Sequence, residues 1–376
     1  MKNLKTNWLK HILWICVILV SFSSCEKDDD FDGGRDAESE DPSAGLLGDI
    51  YLAGKNEIDG MNCKSIYFKN SEAIELEGVG AYTQAEYIQV IGDDVHVLGW
   101  SRSVRQPIYW KNGVSQILEH PNPSSIAVLG DIASPIGLAV SGEDVHMAMQ
   151  RYSNIGLSFA IYYWKNGVRT VIPAEDDREN FGYGMMVNGD DVYIYGRENH
   201  LNRETFDSAG EWPIAKYWKN GVGVNITNGD KTAFITKMVV KDDDLYLSYT
   251  KQIDGGTLSY ILKNGVEILV FPNLEKVADF IVDSSDDVHA VISVPNTAGS
   301  FGLALKYYKN DIGIQMVSNL DNGLRIRKFE DDIYVSGFYY DDDIVRSQIL
   351  KNNTIFSNLE FNGSGNNIEV YDMTIN

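Results

Sequence analysis

A short phrase recurs seven times along this chain and constrains its fold more than any other feature. Each copy has two aromatic or aliphatic residues, then Lys-Asn, then usually Gly. The steps between the repeated lysines are 42, 54, 54, 44, 46 and 42 residues, and the lysines are Lys69, Lys111, Lys165, Lys219, Lys263, Lys309 and Lys351. A repeat of this length is typical of propellers and solenoids, in which one supersecondary unit is used many times.

A second phrase alternates with the first and completes the repeating unit. It is an acidic turn in which an Asp precedes an aliphatic residue and then Tyr or His, and its copies begin at Asp49, Asp94, Asp144, Asp191, Asp244, Asp287 and Asp332. Alternating apolar residues on both sides of each phrase predict strands. Asn-Gly between two strands favours a tight hairpin turn, and we expect each repeat Asp to hydrogen-bond its own turn backbone.

These signals predict an all-β fold, a seven-bladed β-propeller of four-stranded antiparallel blades over residues 45–376. The first unit has no room for a leading strand before Asp49, whereas residues 368–375 form a strand left over after the seventh unit. If that C-terminal strand completes the first blade, the ring closes and no open sheet edge remains between the first and last units. An open solenoid is the competing architecture.

The first 44 residues predict secretion and membrane attachment. Residues 1–24 begin with Lys2, Lys5 and Lys10 and continue with an apolar stretch too short for a membrane span. Small residues before Cys25 resemble a bacterial lipobox, although Phe22 replaces the usual Leu, so Cys25 is the predicted lipidation site. An ordinary secretory signal with a coincidental Cys is the alternative. Residues 25–44 are acidic and poor in apolar side chains, which predicts a disordered tether.

The combination resembles a known group of proteins. The Tyr-Trp-Lys-Asn-Gly phrase is similar to that of repeat propellers found among Bacteroidota lipoproteins, and the acids after Cys25 resemble the surface-export signal of the same lipoproteins. The resemblance covers roughly residues 45–376 and implies an outer-membrane lipoprotein exposed at the cell surface and attached to the membrane only through Cys25. It implies nothing about the ligand.

The composition of the chain limits which kinds of ligand and partner we expect. The formal net charge is −22, which repels phosphate backbones and argues against nucleic-acid binding. Of the three cysteines only Cys63 falls within the predicted propeller, so we expect a buried thiol without a disulfide. His96, His146 and His289 occupy a repeat position that is Tyr in the other copies, which indicates packing rather than ligation. We expect no metal, no cofactor and a monomeric domain.

Binding residues are expected on the face opposite the repeated turns, where the loops vary. Arg and aromatic side chains in those loops could hold a glycan or an acidic ligand by stacking and charged hydrogen bonds. The ligand-binding candidates are Trp100, Arg102, Arg105, Arg151, Tyr152, Arg197, Trp212, Tyr339 and Tyr340. The alternative for these residues is ordinary surface and rim packing.

The inner strands add a possible anion site in the central channel. Its candidates are Lys237, Arg325 and Arg327, and the alternative is that these cations pair with acids such as Asp279 or Asp283. No catalytic residue can be identified, because no nucleophile elbow, phosphate loop or metal-ligand spacing occurs. The sequence favours a non-catalytic module that binds a glycan or a protein. A polysaccharide hydrolase or lyase, and an assembly role in the envelope, are the alternatives.

Overall fold

The computed structural model describes residues 48–59, 62–118, 132–153, 158–175, 178–200, 212–272, 274–295, 303–316, 318–341, 344–360 and 367–376. The predicted signal peptide, the lipidation site Cys25 and the tether of residues 25–44 lie outside the described residues. In the described ranges, no helix has the length and apolar character needed to cross a membrane.

Seven four-stranded antiparallel sheets confirm the predicted propeller. Each blade begins with its innermost strand, beside the channel, and ends with its outermost strand. Blade 1 has β28 (Asn367–Ile375), β1 (Ile50–Asp59), β2 (Asn62–Lys69) and β3 (Glu72–Glu75). Blade 2 has β4 (Thr83–Ile91), β5 (Asp94–Ser101), β6 (Gln106–Lys111) and β7 (Val114–Ile117). Blade 3 has β8 (Ile132–Ser141), β9 (Asp144–Ser153), β10 (Ser158–Lys165) and β11 (Val168–Ile172).

The remaining blades follow the same order. Blade 4 has β12 (Arg178–Asn188), β13 (Asp191–His200), β14 (Ile214–Lys219) and β15 (Val222–Asn225). Blade 5 has β16 (Ala233–Lys241), β17 (Asp244–Ile253), β18 (Gly256–Lys263) and β19 (Val266–Phe271). Blade 6 has β20 (Lys276–Val282), β21 (Val288–Pro295), β22 (Leu303–Lys309) and β23 (Ile312–Gln315). Blade 7 has β24 (Asn322–Phe329), β25 (Asp332–Asp341), β26 (Ile344–Lys351) and β27 (Thr354–Leu359).

The C-terminal strand closes the ring, as the sequence predicts. Strand β28 is the innermost strand of blade 1, where it pairs with β1. Asp49 and Asn376 exchange two backbone hydrogen bonds of 2.9 and 3.0 Å. The innermost strands of neighbouring blades contact one another in an unbroken circle from β28 through β4 back to β24. Blade 1 therefore combines the C-terminal strand with the first three strands and joins the two ends of the propeller.

The hydrophobic core is divided among the blade interfaces. In the described part of the chain each of the seven interfaces contains one apolar cluster. The second position of the repeated phrase supplies large members of these clusters, since Trp110, Trp164 and Trp218 are 0%, 3% and 1% exposed. The aromatic half of the phrase is therefore core, while its Lys-Asn half stays at the surface.

The two repeated phrases meet in a motif that we name the turn clasp, formed in each blade by the repeat Asp, Lys and Asn. In blade 4, Lys219 Nζ lies 2.7 Å from Asp191 Oδ2, and Asn220 Nδ2 donates to Asp191 Oδ1 at 2.7 Å. Asn220 Oδ1 accepts from the backbone N–H of Val192 at 2.8 Å. The expectation that the Asp bonds its own turn backbone is wrong, because its carboxylate bonds the Lys and Asn of the other hairpin.

The clasp occurs in all seven blades. The Lys–Asp distances lie between 2.6 and 2.8 Å, and each Asn also bonds its Asp. Every one of these asparagines has φ between 50° and 57°, a left-handed conformation that Asn tolerates. The clasps define the turn face of the propeller, and the opposite side, with the longer loops, is the loop face.

A β-bulge interrupts every innermost strand near the loop face. The residues left unpaired are Tyr371, Glu86, Ile136, Tyr183, Thr236, Ala278 and the pair Gly323 and Leu324. A bulge turns one side chain out of the regular alternation of a strand. Because the repeat phrases do not reach this part of the strands, the seven equivalent positions around the channel hold acidic, aromatic, aliphatic and small residues.

Candidate functional site

The central channel contains a polar cavity of about 220 Å³ just below these bulges. Its wall includes the bulged Tyr183 and Thr236 and the charged side chains of Lys237, Asp279 and Arg325. The bulged Ile136, Tyr183, Thr236 and Ala278 bound the cavity on the side of the loop face.

The three cations predicted for the channel are brought together, and they pair with acids. Lys237 Nζ lies 2.9 Å from Asp279, and Arg327 lies 3.2 Å from the same carboxylate. Arg325 and Arg327 lie 3.2 and 3.1 Å from Asp372. The pairing alternative is therefore what the structure shows. Burial alone would raise the pKa of Asp279, but Lys237 and Arg327 outweigh it and hold that pKa below its usual range.

Glu86 is the bulged residue of blade 2 and stands beside this network. Its Oε1 accepts a hydrogen bond from Gln84 Nε2 at 2.5 Å. Burial raises the pKa of Glu86 to about 7, against the smaller opposing effects of Gln84, Arg325 and Trp100. Trp100, predicted as a ligand-stacking residue, thus lies beside Glu86 and is half-buried.

A second charged group lies on the loop face at blade 1. Lys55 Nζ pairs with Glu369 at 3.1 Å and donates to Tyr82 Oη at 3.3 Å, and Tyr371 Oη donates to the same Glu369. The predicted candidate Arg102 lies over the Tyr82 ring at 5.8 Å.

The loop face carries a continuous row of five aromatic rings and one Arg side chain that we name the aromatic stripe. Its members are Tyr152, Phe159, Phe181, Arg197, Tyr183 and Phe234. Its outer half crosses from blade 3 to blade 4. The ring centroids of Tyr152 and Phe159 are 4.8 Å apart, and those of Phe159 and Phe181 are 4.1 Å apart. The guanidinium carbon of Arg197 lies 4.8 Å from the Phe181 centroid. Tyr152 and Arg197 are predicted candidates, and both belong to this row.

The inner half of the stripe reaches the channel. Arg197 also lies over the ring of Tyr183 at 5.9 Å, and Tyr183 contacts Phe234 of blade 5 edge-on at 5.8 Å. Tyr183 is 39% exposed and lines the channel cavity. The stripe therefore leads without a break from the rim of blade 3 to the cavity.

The stripe is not part of the repeat. Phe181 and Phe234 stand two residues before the bulges of blades 4 and 5, whereas the same position holds Glu369, Gln84 and Lys276 in blades 1, 2 and 6. A position that served only to pack neighbouring blades would be expected to be apolar throughout. The aromatic residues are thus a local feature of blades 3 to 5.

The other predicted residues are dispersed. Arg105 is exposed in a turn with φ of 55°, and Arg151 is half-buried near the outer end of the stripe. Trp212 is half-buried in blade 4, two blades from Trp100, so these two tryptophans form no common platform. Tyr339 packs against the core between blades 6 and 7. The neighbouring Tyr340 is 59% exposed.

Sequence reasoning missed the uncharged members of the stripe and Glu86. Phe181, Tyr183, Phe234 and Glu86 precede or occupy the bulges of inner strands, and bulges have no strong signature in a single sequence. Phe159 lies on β10, the third strand of blade 3. A usable signal exists at Phe-Gly-Tyr-Gly, residues 181–184. A Cβ on Gly184 would lie 2.0 Å from the hydroxyl oxygen of Tyr195, so this glycine lets Tyr195 reach the channel.

The turn side has larger clefts with repeated chemistry. One of about 520 Å³ lies between blades 3 and 4, and one of about 390 Å³ lies between blades 6 and 7. His146 lines the first and His289 the second, at the same repeat position. Each is buried and bonded through Nδ1 to a Tyr hydroxyl at 2.6 Å, in agreement with the predicted packing role.

The described residues contain one group of three potential metal ligands, Asp283, Asp287 and His289, within 4.8 Å of one another. All three are engaged within the protein. Asp283 bonds Lys328 at 2.5 Å and His289 at 3.1 Å, and Asp287 bonds the Lys and Asn of its clasp. This group is a hydrogen-bonded part of the turn face.

Comparison with known proteins supports the fold only. No protein-family model matches the chain, and no curated protein is similar to it in sequence. Similar solved structures include a puromycin-hydrolyzing peptidase of Mycobacterium tuberculosis, with a TM-score of 0.52 and 10% identity over 82% of this chain and 53% of the other. A puromycin hydrolase mutant complexed with PGG gives a TM-score of 0.54 and 9% identity over 81% and 51%. The chain spans about half the length of these two proteins.

Proposed function

We propose that this protein is a glycan-binding lipoprotein of the bacterial cell surface, and that the glycan lies along the aromatic stripe of the loop face. The observation that carries the proposal is the stripe itself, five rings and one guanidinium in continuous contact across three blades. Sugars present flat C–H faces that pack on aromatic rings, and hydroxyl groups that accept hydrogen bonds from Arg.

The position of the stripe supports this role. The described chain enters the propeller at Gly48 and leaves at Asn376, and both ends lie with the clasps on the turn face. A tether to a lipidated Cys25 would therefore join the side opposite the stripe and leave the loop face accessible. Lipidation is tested by metabolic labelling with a fatty acid. We expect label on the parent protein and none on Cys25→Ser, and equal labelling of both would contradict the anchor.

Glycan binding is tested with the full-length protein by retardation in gels that contain single polysaccharides. We expect at least one polysaccharide to retard the protein, and Tyr183→Ala to weaken that binding about tenfold, because loss of one stacking contact costs about 1–2 kcal/mol. Tyr340→Ala is the matched control, since Tyr340 is an exposed tyrosine of the loop face outside the stripe. Equal loss in both variants, or retention of full binding by Tyr183→Ala, would contradict this site.

A second candidate function is cleavage of a polysaccharide, and Glu86 favours it. A carboxyl group with its pKa raised to about 7 can donate a proton to a leaving oxygen at neutral pH. Glu369, paired with Lys55, offers a second carboxylate on the same face. Release of reducing ends from a bound polysaccharide, abolished by Glu86→Gln while binding persists, would support an enzyme. Binding without product release would favour the binding module.

A further inference from the structure

We infer that the channel cavity holds the carboxylate-bearing sugar of an acidic glycan, a uronate, while the neighbouring sugars lie on the aromatic stripe. This inference rests on the proposed glycan-binding function and names the class of glycan. The inference is more specific than an anion site, because one residue both lines the cavity and belongs to the stripe, so an anion and a sugar can be bound side by side.

The shared wall is Tyr183. Its ring belongs to the stripe through Arg197 and Phe234 and also lines the cavity. A cavity of about 220 Å³ is smaller than the roughly 300–1,000 Å³ typical of sites that enclose a whole small ligand. It therefore suits one sugar unit or a small anion, and the rest of an oligosaccharide would have to remain outside, where the stripe begins.

The cavity is positive in an acidic protein. Its charged lining among the described residues is three cations, Lys237, Arg325 and Arg327, against two carboxylates, Asp279 and Asp372. Three minus two leaves one positive charge, in a chain whose formal net charge is −22. Glu86, beside Arg325, adds little negative charge below neutral pH because burial raises its pKa to about 7. A positive spot within low-dielectric walls focuses the field and attracts an anion.

Each carboxylate accepts a backbone N–H in addition to its ion pairs with the cations, so the cations do not satisfy it alone. Asp279 Oδ2 accepts the backbone N–H of Ile326, and Asp372 Oδ2 accepts that of Ile88, both at 3.1 Å. Lys237 forms one ion pair within the described chain, to Asp279, although an ammonium group has three protons to donate. Arg325 bonds through Nε to Asp372 and through Nη1 to the Leu324 carbonyl, and no hydrogen bond from its Nη2 occurs within the described chain.

Tyrosine hydroxyls complete the set of donors. Tyr87 and Tyr195 both line the cavity, and burial raises the pKa of each. Both hydroxyls therefore keep their protons at any physiological pH. A carboxylate in the cavity would meet an ammonium, a guanidinium and neutral O–H groups, which is the arrangement that charge-assisted hydrogen bonds require.

The test compares an acidic oligosaccharide with its neutral methyl ester. Titration calorimetry of the full-length protein would use oligogalacturonate and the same oligomer as its methyl ester. We expect the acid to bind at least tenfold more tightly than the ester, and Lys237→Met to remove most of that preference. Lys165→Met is the matched control, since Lys165 forms an ion pair with an Asp on the turn face.

The outcomes separate this inference from the proposed function. Equal binding of acid and ester, or an unchanged preference in Lys237→Met, would overturn the inference and leave glycan binding intact. Binding of inorganic sulfate or of oligo-glutamate at the affinity of the uronate would also overturn it, because the stripe would then contribute nothing. Absence of binding to every polysaccharide would overturn the proposed function itself.

Discussion

The two faces of the propeller are built on opposite rules. On the turn face seven clasps repeat the same Asp, Lys and Asn contacts with Lys–Asp distances that vary by 0.2 Å, from 2.6 to 2.8 Å. On the loop face the seven bulged positions hold residues as different as Tyr371, Glu86 and Ala278. Repetition marks what every blade needs in order to fold, and departure from the repeat marks where one blade acquires a chemistry of its own.

The largest expected effect is a loss of stability when the aromatic half of the repeated phrase is removed in one blade. Trp218 is 1% exposed in the core between blades 3 and 4. Trp218→Ala should lower the free energy of unfolding by about 3–5 kcal/mol, because it removes a large buried ring and leaves a cavity. Urea unfolding measures this, with Tyr340→Ala as the exposed aromatic control. A loss below about 1 kcal/mol would mean that the phrase does not supply the core.

This contrast also explains what could be predicted from sequence. The blade count, the strand order and the closing C-terminal strand follow from phrases such as Tyr-Trp-Lys-Asn-Gly, because turn chemistry and apolar alternation are local. Tyr152 and Arg197 could be predicted as candidates because aromatic and Arg residues are unusual in so acidic a chain, although they lie on the ends of β9 and β13 and not in loops. Their assembly with Phe181 and Phe234 depends on contacts between blades, which no local pattern encodes.

The channel could be predicted only in part for the same reason. Lys237, Arg325 and Arg327 are recognisable as cations on inner strands, and the sequence allows their pairing with Asp279 without requiring it. Asp372 belongs to the C-terminal strand, so its place beside them depends on ring closure. Glu86 has no sequence signal at all, because its environment is made by a bulge and by side chains from blades 1, 2 and 7.

The next largest effect tests whether burial on the loop face keeps Glu86 protonated. Its pKa is raised from 4.5 to about 7 by burial, so the folded state favours the protonated form. Stability should therefore fall as pH rises from about 4.5 through 7. Glu86→Gln should be neutral at pH 5 and stabilising by about 2 kcal/mol at pH 8.5, because one pKa unit is worth about 1.4 kcal/mol and solvent in the channel reduces the effect.

The measurement is thermal or urea unfolding of both proteins at the two pH values. The charged and titratable groups that interact with Glu86 are Arg325, Tyr87 and Tyr371, and Asp372 is paired with Arg325. Gln84 donates a hydrogen bond to Glu86, and Trp100 lies beside it. The tyrosines keep their protons in this range because burial raises their pKa values. The same stability difference at pH 5 and pH 8.5 would show that Glu86 is ionised throughout.

A smaller effect measures one clasp. Asn220 has φ of 51° and its side chain makes two hydrogen bonds, one with the N–H of Val192 and one with Asp191. Asn220→Ala should cost about 2 kcal/mol, from the lost bonds and from a left-handed conformation that Ala disfavours. Asn220→Gly separates these causes, because Gly keeps the conformation without strain. Equal losses in the two variants would assign the whole effect to hydrogen bonding.

The smallest effect concerns how acid weakens the turn clasp of blade 4. The pKa of Asp191 is shifted in the opposite direction to that of Glu86, so its contribution to stability is lost as pH falls. Hydrogen bonds from Lys219 and Asn220 lower the pKa of Asp191 below its ordinary value of 3.8. A carboxylate with a lowered pKa stabilises the fold above its unfolded pKa, and that contribution disappears as pH falls through the lowered value. Asp191→Asn should therefore lower stability slightly at pH 7 and not at all near pH 2. Because the Asp191 carboxylate is partly exposed to solvent at the turn face, high salt should reduce the difference in stability at pH 7. A difference in stability that persisted at pH 2 would show that the side chain contributes through packing rather than charge.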